Sequence, residues 1–307
     1  MPSIKPLVLD VDGTFLKTDM LWETFWAGLG RSPFATLRAV MRYLGNRAAL
    51  KAALAQIAPL RTDLLPVNGE VADLALQSRV GGREVVLASG SDESLVAPLA
   101  AHYGLSERVF ASDGHTNLTG PRKAAELVRA FGEGGFDYAG NSATDMAVWE
   151  RADNALVVGH VSSARTLASR GQNVVELAGG LDWRALVKAL RPHQWVKNVL
   201  LVLPMIAAHR FDLETLIPIL WGIVAFSAAA SSIYIVNDLL DLEADRLHPT
   251  KRNRPFASGA LPITVGMAVF VVCALIAVTV AAALNMSFLG VILLYMVTSL
   301  AYSLKLK

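Results

Sequence analysis

The stretch LVLDVDGTFLKTD, residues 7–19, joins an apolar run to two aspartates one residue apart. A short apolar run that stops at a turn signal predicts a buried strand feeding a loop, and Gly13 permits a tight turn there. We therefore expect Asp10 and Asp12 side by side at the carboxyl end of a strand. Two carboxylates this close repel each other, so a bound cation is favoured. Mg²⁺ would both neutralise them and bind a phosphate. An ordinary solvated loop is the alternative.

Further apolar runs with turn signals follow at short intervals. They are REVVLASGSDES, RVFASDG, FDYAGNSATD, NALVVG and NVVEL, with the helical patterns SLVAPLAAHYG and RKAAELVRAFG between them. Strands and helices that alternate at this pace predict an α/β, Rossmann-like domain over residues 1–185, with a parallel sheet covered on both faces. Ligands of such sheets bind at the carboxyl ends of the strands.

Polar residues stand at these predicted strand ends. Ser89 is placed to hold a phosphoryl oxygen, and Lys123 offers a positive charge to clamp it. Asn141 and Asp145 are candidates for completing a metal site with the two aspartates. In this arrangement Asp10 attacks phosphorus, while Asp12 protonates the leaving oxygen and then activates water.

These four groups of residues occur in the order of the motifs of haloacid-dehalogenase (HAD) phosphatases, which the first 180 residues or so resemble. The resemblance implies Asp10 as nucleophile, Asp12 as acid and base, Ser89 and Lys123 as phosphate stabilisers, and Asp145 near Mg²⁺. One departure concerns the last motif, which commonly reads Gly-Asp and here reads Gly-Asn at Asn141. A neutral ligand predicts lower metal affinity, and it leaves open a catalytically silent, regulatory domain.

A helical insert lies where this family carries a cap, at about residues 15–82. Helical spacing begins at Met20 and places several aromatic residues on the insert: Trp22, Phe25, Trp26 and Phe34. Two interpretations are open for them. They line a lipid-facing entrance for the substrate, or they form the core of the cap itself.

The remaining residues, 186–307, have the composition of a membrane domain. The chain is 53% hydrophobic and 18% charged, and residues 256–304 contain no Asp, Glu, Lys or Arg. We predict an all-α transmembrane segment with about four spans. The first is WVKNVLLVLPMIAAHRF, which Pro204 interrupts. The alternative for this stretch is a segment that lies in the membrane interface. The second is TLIPILWGIVAFSAAASSIYIVN, and two more follow before Leu304.

Basic residues predict the orientation of these spans. They precede the first span, follow the second and follow the fourth, so they share one side if the spans alternate: Lys188, Arg191, Lys197, Arg246, Lys251, Arg252, Arg254, Lys305 and Lys307. We expect a multi-pass protein of the cell (inner) membrane with a cytosolic N-terminal domain. No cleavable signal is recognised, and the single Cys273 excludes an intrachain disulfide. A net charge of +2 without a basic stripe argues against a nucleic-acid partner.

A second row of carboxylates leaves the second span in IVNDLLDLEADRLHPTKRNRPFASG, residues 235–259. Asp238, Asp241 and Asp245 have the spacing of one helix face, with Asn237 one turn before Asp241. Such a row can hold Mg²⁺ that bridges to a diphosphate, and basic residues of the following loop would contact the phosphates: Lys251, Arg252 and Arg254. The alternative is a solvated juxtamembrane helix with its flanking positive charges.

This row resembles the first Asp-rich motif of the UbiA prenyltransferase superfamily, and residues from about 190 onward resemble its first four helices. Together with LRPHQWVKNVLLVLP, residues 190–204, it is most similar to the decaprenyl-phosphate phosphoribosyltransferase branch. The resemblance implies a polyprenyl phosphate, or another isoprenoid lipid, and phosphoribosyl diphosphate, or another diphosphate, as substrates. Family members carry further spans and a second Asp-rich motif. We therefore expect this sequence to be part of a longer protein and not to catalyse transfer alone.

The sequence thus predicts a membrane-bound, bifunctional enzyme. It joins an Mg²⁺-dependent HAD phosphatase to a UbiA-type transferase, whose expected product is polyprenyl-phosphoryl ribose. Two alternatives remain. The spans anchor a phosphatase for a soluble phosphomonoester, or a silent HAD domain regulates a prenyltransferase.

Overall fold

The structure, a computed structural model, describes residues 5–180 and 182–305. It divides at the junction of residues 181 and 182 into two compact units. The N-terminal unit is an α/β unit, and the C-terminal unit is helical. Each unit is described below by itself.

The N-terminal unit contains one six-stranded sheet in which every neighbouring pair of strands is parallel. The predicted α/β fold and its six strands are confirmed. In chain order the strands are β1 (Leu7–Leu9), β2 (Val85–Asp92), β3 (Val109–Ser112), β4 (Asp137–Gly140), β5 (Asn154–Val158) and β6 (Asn173–Leu177). Their spatial order is β3-β2-β1-β4-β5-β6, so the strand that precedes Asp10 lies inside the sheet, between β2 and β4.

Helices surround this sheet. Four lie between β1 and β2: α1 (Met20–Arg31), α2 (Pro33–Tyr43), α3 (Arg47–Ile57) and α4 (Gly69–Val80). Four more lie between later strands: α5 (Glu93–His102), α6 (Pro121–Phe131), α7 (Met146–Trp149) and α8 (Val161–Ser169). Successive side chains of β1 enter different cores, with Leu7 and Leu9 in one and Val8 in the other. This alternation explains why the strand is apolar throughout, since both faces of the sheet are covered.

The aromatic residues of the insert divide between the two interpretations. Trp26 is buried, while Trp22 and Phe25 are half-buried. Phe25 makes edge-to-face contacts with both tryptophans at centroid distances of 5.9 Å and 5.5 Å. These three residues pack with one another in the insert, as the core interpretation expects. Phe34, in contrast, is exposed on α2.

The C-terminal unit contains six α-helices within its described residues. They are α9 (Trp183–Leu190), α10 (Leu203–Ala207), α11 (Leu213–Leu240), α12 (Leu242–Leu247), α13 (Ile263–Leu284) and α14 (Met286–Lys305). Among the described residues, α11, α13 and α14 are long and apolar enough to cross a membrane. Ala229 of α11 and Ala277 and Ala281 of α13 are buried together with Ile292 of α14. Small side chains of this kind let membrane helices approach closely.

The expected first span does not form a spanning α-helix in residues 182–305, whereas the other three expected spans correspond to α11, α13 and α14. Residues Pro192–Val202 form a 3₁₀-helix that leads into the short α10. Side chains of this segment are bound to α11, because Trp195 Nε1 donates to Ser231 Oγ at 3.0 Å and Asn198 Nδ2 donates to Ser227 Oγ at 2.8 Å. Pro192 and Pro204 also lack the amide donors that a continuous helix needs. Of the expected flanking charges, Lys307 lies outside the described residues.

Candidate active sites

Asp10 follows β1 directly and lies at the centre of the first site. Its backbone N–H donates to Ala139 O of β4 at 2.9 Å, which fixes it at the end of the sheet. Lys123 Nζ donates to Asp10 Oδ1 at 2.6 Å, and Thr14 Oγ1 donates to Oδ2 at 3.3 Å. Burial raises the pKa of Asp10 to about 7; Lys123 opposes this rise, and the carboxylates of Asp145 and Asp12 add to it. Burial and the two neighbouring carboxylates therefore disfavour the negative charge on Asp10, and Lys123 favours it.

Asp12 is held by donors from two other elements. Ser89 Oγ and Ser91 Oγ of β2 donate to Asp12 Oδ2 at 3.1 Å and 2.7 Å. The backbone N–H of Met20, the first residue of α1, donates to Oδ1 at 2.8 Å. The structure thus brings Ser89 to the predicted site, but its hydroxyl contacts Asp12. Sequence reasoning did not identify Ser91, although it stands in the same short ASGS stretch.

Lys123 lies in the first turn of α6 and is buried. It contacts Asp10 and also donates to Tyr138 Oη at 2.9 Å, and Tyr138 in turn donates to Asp145 Oδ1 at 2.8 Å. Burial alone would lower the pKa of Lys123, but Asp10 and Asp145 outweigh burial and raise it. Tyr138 was not predicted as a site residue, because a tyrosine within an apolar strand is typical of a core. It connects Lys123 to Asp145.

Asp145 is buried and fully engaged with neighbouring protein groups. Besides the Tyr138 hydroxyl, it accepts three hydrogen bonds at Oδ2: from Ser142 Oγ at 3.0 Å, from Ser142 N at 3.1 Å and from Asn141 N at 3.3 Å. These contacts organise the loop that follows β4. Its expected role near a metal ion stays a prediction.

Asn141 lies against the turn that carries the two aspartates. Gly13 has a φ of +77°, and a Cβ at this position would stand 2.1 Å from Asn141 Nδ2. Glycine is thus required twice, by its backbone conformation and by the close approach of the amide. The end of β4 and the end of β1 therefore meet at one place.

The insert contributes two residues that sequence reasoning missed. Lys51 of α3 donates from Nζ to Gly90 O at 2.5 Å and to Asn117 Oδ1 at 3.4 Å. Burial lowers its pKa, while Asp12 and Asp19 oppose that effect. Asp19 caps α1 through Leu21 N at 2.8 Å, and burial together with Asp12 raises its pKa to about 7. Lys51 is a single lysine in an alanine-rich helix, and such a pattern does not indicate a site residue.

The donors of this pocket suit a magnesium ion in kind, since Mg²⁺ prefers carboxylate, carboxamide and water oxygens. The raised pKa of Asp10 also reflects negative charge that a cation would offset. Within residues 5–180 and 182–305, no group of three or more His, Cys, Asp or Glu side chains is arranged to hold a metal ion. A magnesium ion here would be held by Asp10, Asp12 and Asn141, with backbone oxygens and its own waters as further ligands.

The second site lies at the end of α11. Arg254 Nη1 donates to Asp238 Oδ1 at 3.2 Å and to Asp245 Oδ2 at 2.8 Å, so these two carboxylates face each other across one guanidinium. Arg191 Nη2 donates to Asp238 Oδ1 at 2.6 Å and lies over the ring of Tyr234 at 4.8 Å. Both aspartates are buried. Arg191 was expected only as a flanking charge, yet it belongs to this cluster.

The expectation of a single continuous helix under this row is wrong. Helix α11 ends at Leu240, Asp241 forms the break, and Asp245 lies on α12. Asn237 contacts α14, since its Oδ1 accepts a hydrogen bond from Ser303 Oγ. The structure does not place Lys251 and Arg252 against the paired carboxylates as it does Arg254: both are exposed on the following loop. Four carboxylates lie within eight residues around this break, and Arg254 bridges two of them, Asp238 and Asp245.

Comparison with known proteins assigns the C-terminal part. Residues 199–307 match the model of the UbiA prenyltransferase family. The decaprenyl-phosphate phosphoribosyltransferase of Mycobacterium tuberculosis is 43% identical over 127 residues, which are 40% of this chain and 42% of that protein. The uncharacterized protein y4nM of Sinorhizobium fredii is 36% identical over 309 residues, 98% of this chain and 59% of that protein. The chain thus spans well under two thirds of these relatives.

A HAD family hydrolase from Salmonella enterica serovar Typhi is similar in structure to the N-terminal part. The alignment covers 57% of this chain and 69% of the hydrolase, with 14% sequence identity and a TM-score of 0.40. The fold assignment rests instead on the parallel sheet and on the places of the four motifs around it. The alignment with the rhizobial protein runs through both units. Residues 199–307 thus match the UbiA prenyltransferase family, and they follow a unit built on a six-stranded parallel α/β sheet.

Proposed function

We propose that the N-terminal unit is an Mg²⁺-dependent phosphomonoester phosphatase. The observation that carries the proposal is the convergence on the turn after β1. Lys123 contacts Asp10, two serines of β2 contact Asp12, and Asn141 lies against Gly13. Residues from the ends of neighbouring strands meet in this way at a ligand site of a parallel sheet.

The chain's own residues have distinct roles in this reaction. An Asp10 oxygen forms a bond to phosphorus as the bond from phosphorus to the leaving oxygen breaks, and Asp12 gives that oxygen a proton. Water then attacks phosphorus, Asp12 takes the proton, and phosphate leaves. Lys123 orients Asp10 and offsets its charge. When bound by Asp10, Asp12 and Asn141, with Asp145 beside them, Mg²⁺ supplies charge stabilisation for the phosphoryl oxygens.

For the C-terminal unit we propose a binding site for the diphosphate of a transfer donor. Arg191 and Arg254 already lie against buried carboxylates, and guanidinium groups are suited to bidentate phosphate binding. The carboxylates of Asp238, Asp241 and Asp245 would bind Mg²⁺ in place of the arginines. Asn237, Lys251 and Arg252 would contribute further contacts to the diphosphate site. The similarity to decaprenyl-phosphate phosphoribosyltransferases favours a polyprenyl phosphate and phosphoribosyl diphosphate as substrates.

The two proposals fit together chemically. Transfer of phosphoribose to a lipid phosphate leaves a 5-phosphate on the sugar, and that group is a phosphomonoester. A phosphatase on the cytosolic face of the same inner membrane would remove it. The arrangement of both parts in one chain supports this coupling, and the rhizobial relative aligns with both.

The test is a panel of phosphomonoesters offered to residues 1–307 with Mg²⁺. It includes synthetic polyprenyl-phosphoryl 5-phosphoribose, soluble sugar phosphates and a generic aryl phosphate. The proposal expects preference for the lipid-linked phosphate. Preference for a soluble ester favours an anchored phosphatase instead, and no turnover of any ester favours a silent, regulatory domain with Asn141 as its cause.

A further inference from the structure

Helix α2 presents an apolar face that is exposed. Phe34, Leu37, Met41 and Leu44 are 84%, 50%, 82% and 76% exposed, and their spacing places them along one side of the helix. The opposite side packs inward through Thr36 and Ala39. Contiguous apolar surface of this kind on a folded unit usually marks an interaction site.

The stretch of chain that carries this face has charges of one sign. Residues 24–62 contain six basic residues and no Asp or Glu. Arg38 and Arg42 are exposed on α2 itself, next to the apolar stripe. An amphipathic helix with large apolar residues on one side and arginines beside them is typical of helices that lie in the plane of a membrane surface.

We propose that α2 docks on an anionic phospholipid bilayer. Its apolar side chains enter the boundary between headgroups and acyl chains, and Arg38 and Arg42 contact lipid phosphates. A bilayer is available to every copy, because α11, α13 and α14 are long and apolar enough to cross one. Anionic headgroups complement the basic stretch, because each Lys or Arg near such a surface adds to the electrostatic attraction.

A second copy of the chain is the less favourable occupant. Two such faces placed together would bring their arginines against one another, and no acidic residue in residues 24–62 relieves the repulsion. The docking surface does not depend on either proposed activity. It has a consequence for the first site, because Lys51 of the same basic stretch reaches Gly90 beside Asp12. Docking would bring the insert that contributes to the pocket to the lipid surface.

The test uses residues 1–307 with Cys273→Ser, reconstituted in vesicles of phosphatidylcholine with and without phosphatidylglycerol. Gly45→Cys carries an environment-sensitive fluorophore next to Leu44 and keeps all four apolar side chains. Gly69→Cys is the matched control, since both glycines are exposed and a Cβ at either meets open space. With phosphatidylglycerol present, we expect the probe at position 45 to emit at shorter wavelength and to be quenched by acyl-chain nitroxide lipids. The probe at position 69 should show neither effect.

A charge variant separates docking from accidental burial. Arg38→Gln with Arg42→Gln should reduce the quenching at position 45 in anionic vesicles, as should raising salt from about 0.05 M to 0.5 M. Circular dichroism checks that the variant remains folded. Equal quenching at positions 45 and 69 would overturn the proposal. A shift to shorter wavelength that lipid nitroxides do not quench, and that persists in detergent, would also overturn it, since protein would then cover the face.

Discussion

The two carboxylate clusters of this chain are built in different ways. Around Asp10 and Asp12, the donors come from β2, α1, α6 and the turn after β1, and they include three hydroxyls, a backbone amide and one lysine. Around Asp238 and Asp245, the donors are arginines, and the acids come from one short stretch of chain. The first cluster is surrounded by several elements of its own unit. The second cluster consists of acids from one stretch of chain, with arginines as their donors.

This difference separates what each cluster is expected to do. The enclosed set of carboxylates, hydroxyls and a lysine contains the nucleophile, acid and cation that the proposed phosphatase reaction needs. A row of acids paired with arginines can bind a diphosphate weakly, because Mg²⁺ keeps its waters unless further oxygens converge on it. We therefore expect phosphatase chemistry from this chain and efficient transfer only when further helices of the family complete the second site.

The largest effect is expected for Asp10→Asn. Loss of the nucleophile should reduce phosphate release by about four to six orders of magnitude, the range seen when a catalytic residue is removed. The measurement is phosphate release from a good phosphomonoester by residues 1–307. Asp63→Asn, at an exposed pair with Arg61, serves as the control and should leave the rate unchanged. Full activity in Asp10→Asn would show that Asp10 is not the nucleophile.

The next effect concerns the second cluster. In a chain extended by further helices of the UbiA family, Asp241→Asn should reduce transfer of radiolabelled phosphoribose to polyprenyl phosphate by about 10²–10³-fold, the cost of losing one electrostatic contact at a reacting group. Folding should be retained or improved, because a neutral residue near lipid costs less than a carboxylate. Wild-type transfer by this variant would show that the row is not a diphosphate site. Robust transfer by residues 1–307 alone would show that one side suffices.

The membrane topology decides whether the two clusters lie on the same face of the membrane. If basic residues set the orientation, a reporter near Thr250 should be labelled from the cytosol and one near Asp212 from outside. This result requires residues 192–207 to cross the membrane along α11 without forming a spanning α-helix. A reporter at the N-terminus provides the reference. Labelling of Thr250 from the outside would place the two clusters on opposite faces and end the proposed coupling.

The smallest effect is a pH-dependent change in stability. The folded-state pKa of Asp19 is raised to about 7, so its ionisation lowers the free energy of unfolding as pH rises from about 4 to 7. Asp19→Asn keeps a residue suited to capping α1 and removes this loss. We expect a gain of about 1–2 kcal/mol at pH 8, since partial exposure weakens the effect of burial. No gain should appear near pH 4.

Hydrogen–deuterium exchange of the β1 and α1 amides measures this change in the full chain. Equal protection of the wild-type protein and Asp19→Asn at pH 8 would contradict the cost assigned to burying an ionised Asp19 beside Asp12. Asp113→Asn is a suitable control, because Asp113 is exposed and backbone hydrogen bonds lower its pKa.

The sequence predicts the α/β unit well because its strands are apolar runs that end in recognisable turns. The convergence of Asp10, Asp12, Ser89 and Lys123 followed from placing motifs at the ends of parallel strands. Lys51 and Tyr138 could not be found in this way, since one lies on an ordinary-looking helix and the other within a buried strand. Their roles depend on how the insert and β4 pack against the site, which local patterns do not encode.

The C-terminal unit shows a different limit. Apolar composition identifies α11, α13 and α14, but it does not distinguish a spanning helix from residues 192–207, which side-chain hydrogen bonds attach to α11. Helical spacing also predicted an unbroken face through Asp241, where the backbone departs from the helix. Arg191 was overlooked because its partner, Asp238, is distant in sequence.

The most direct test of the central claim, that the two clusters are separate sites, is Mg²⁺-dependent phosphate release by three forms of residues 1–307. The wild-type protein and Asp241→Asn should release phosphate at the same rate, and Asp10→Asn should release none above background. A chelator should abolish release, and added Mg²⁺ should restore it. Loss of phosphatase activity in Asp241→Asn, or release that persists in Asp10→Asn, would contradict the assignment of this chemistry to the turn after β1.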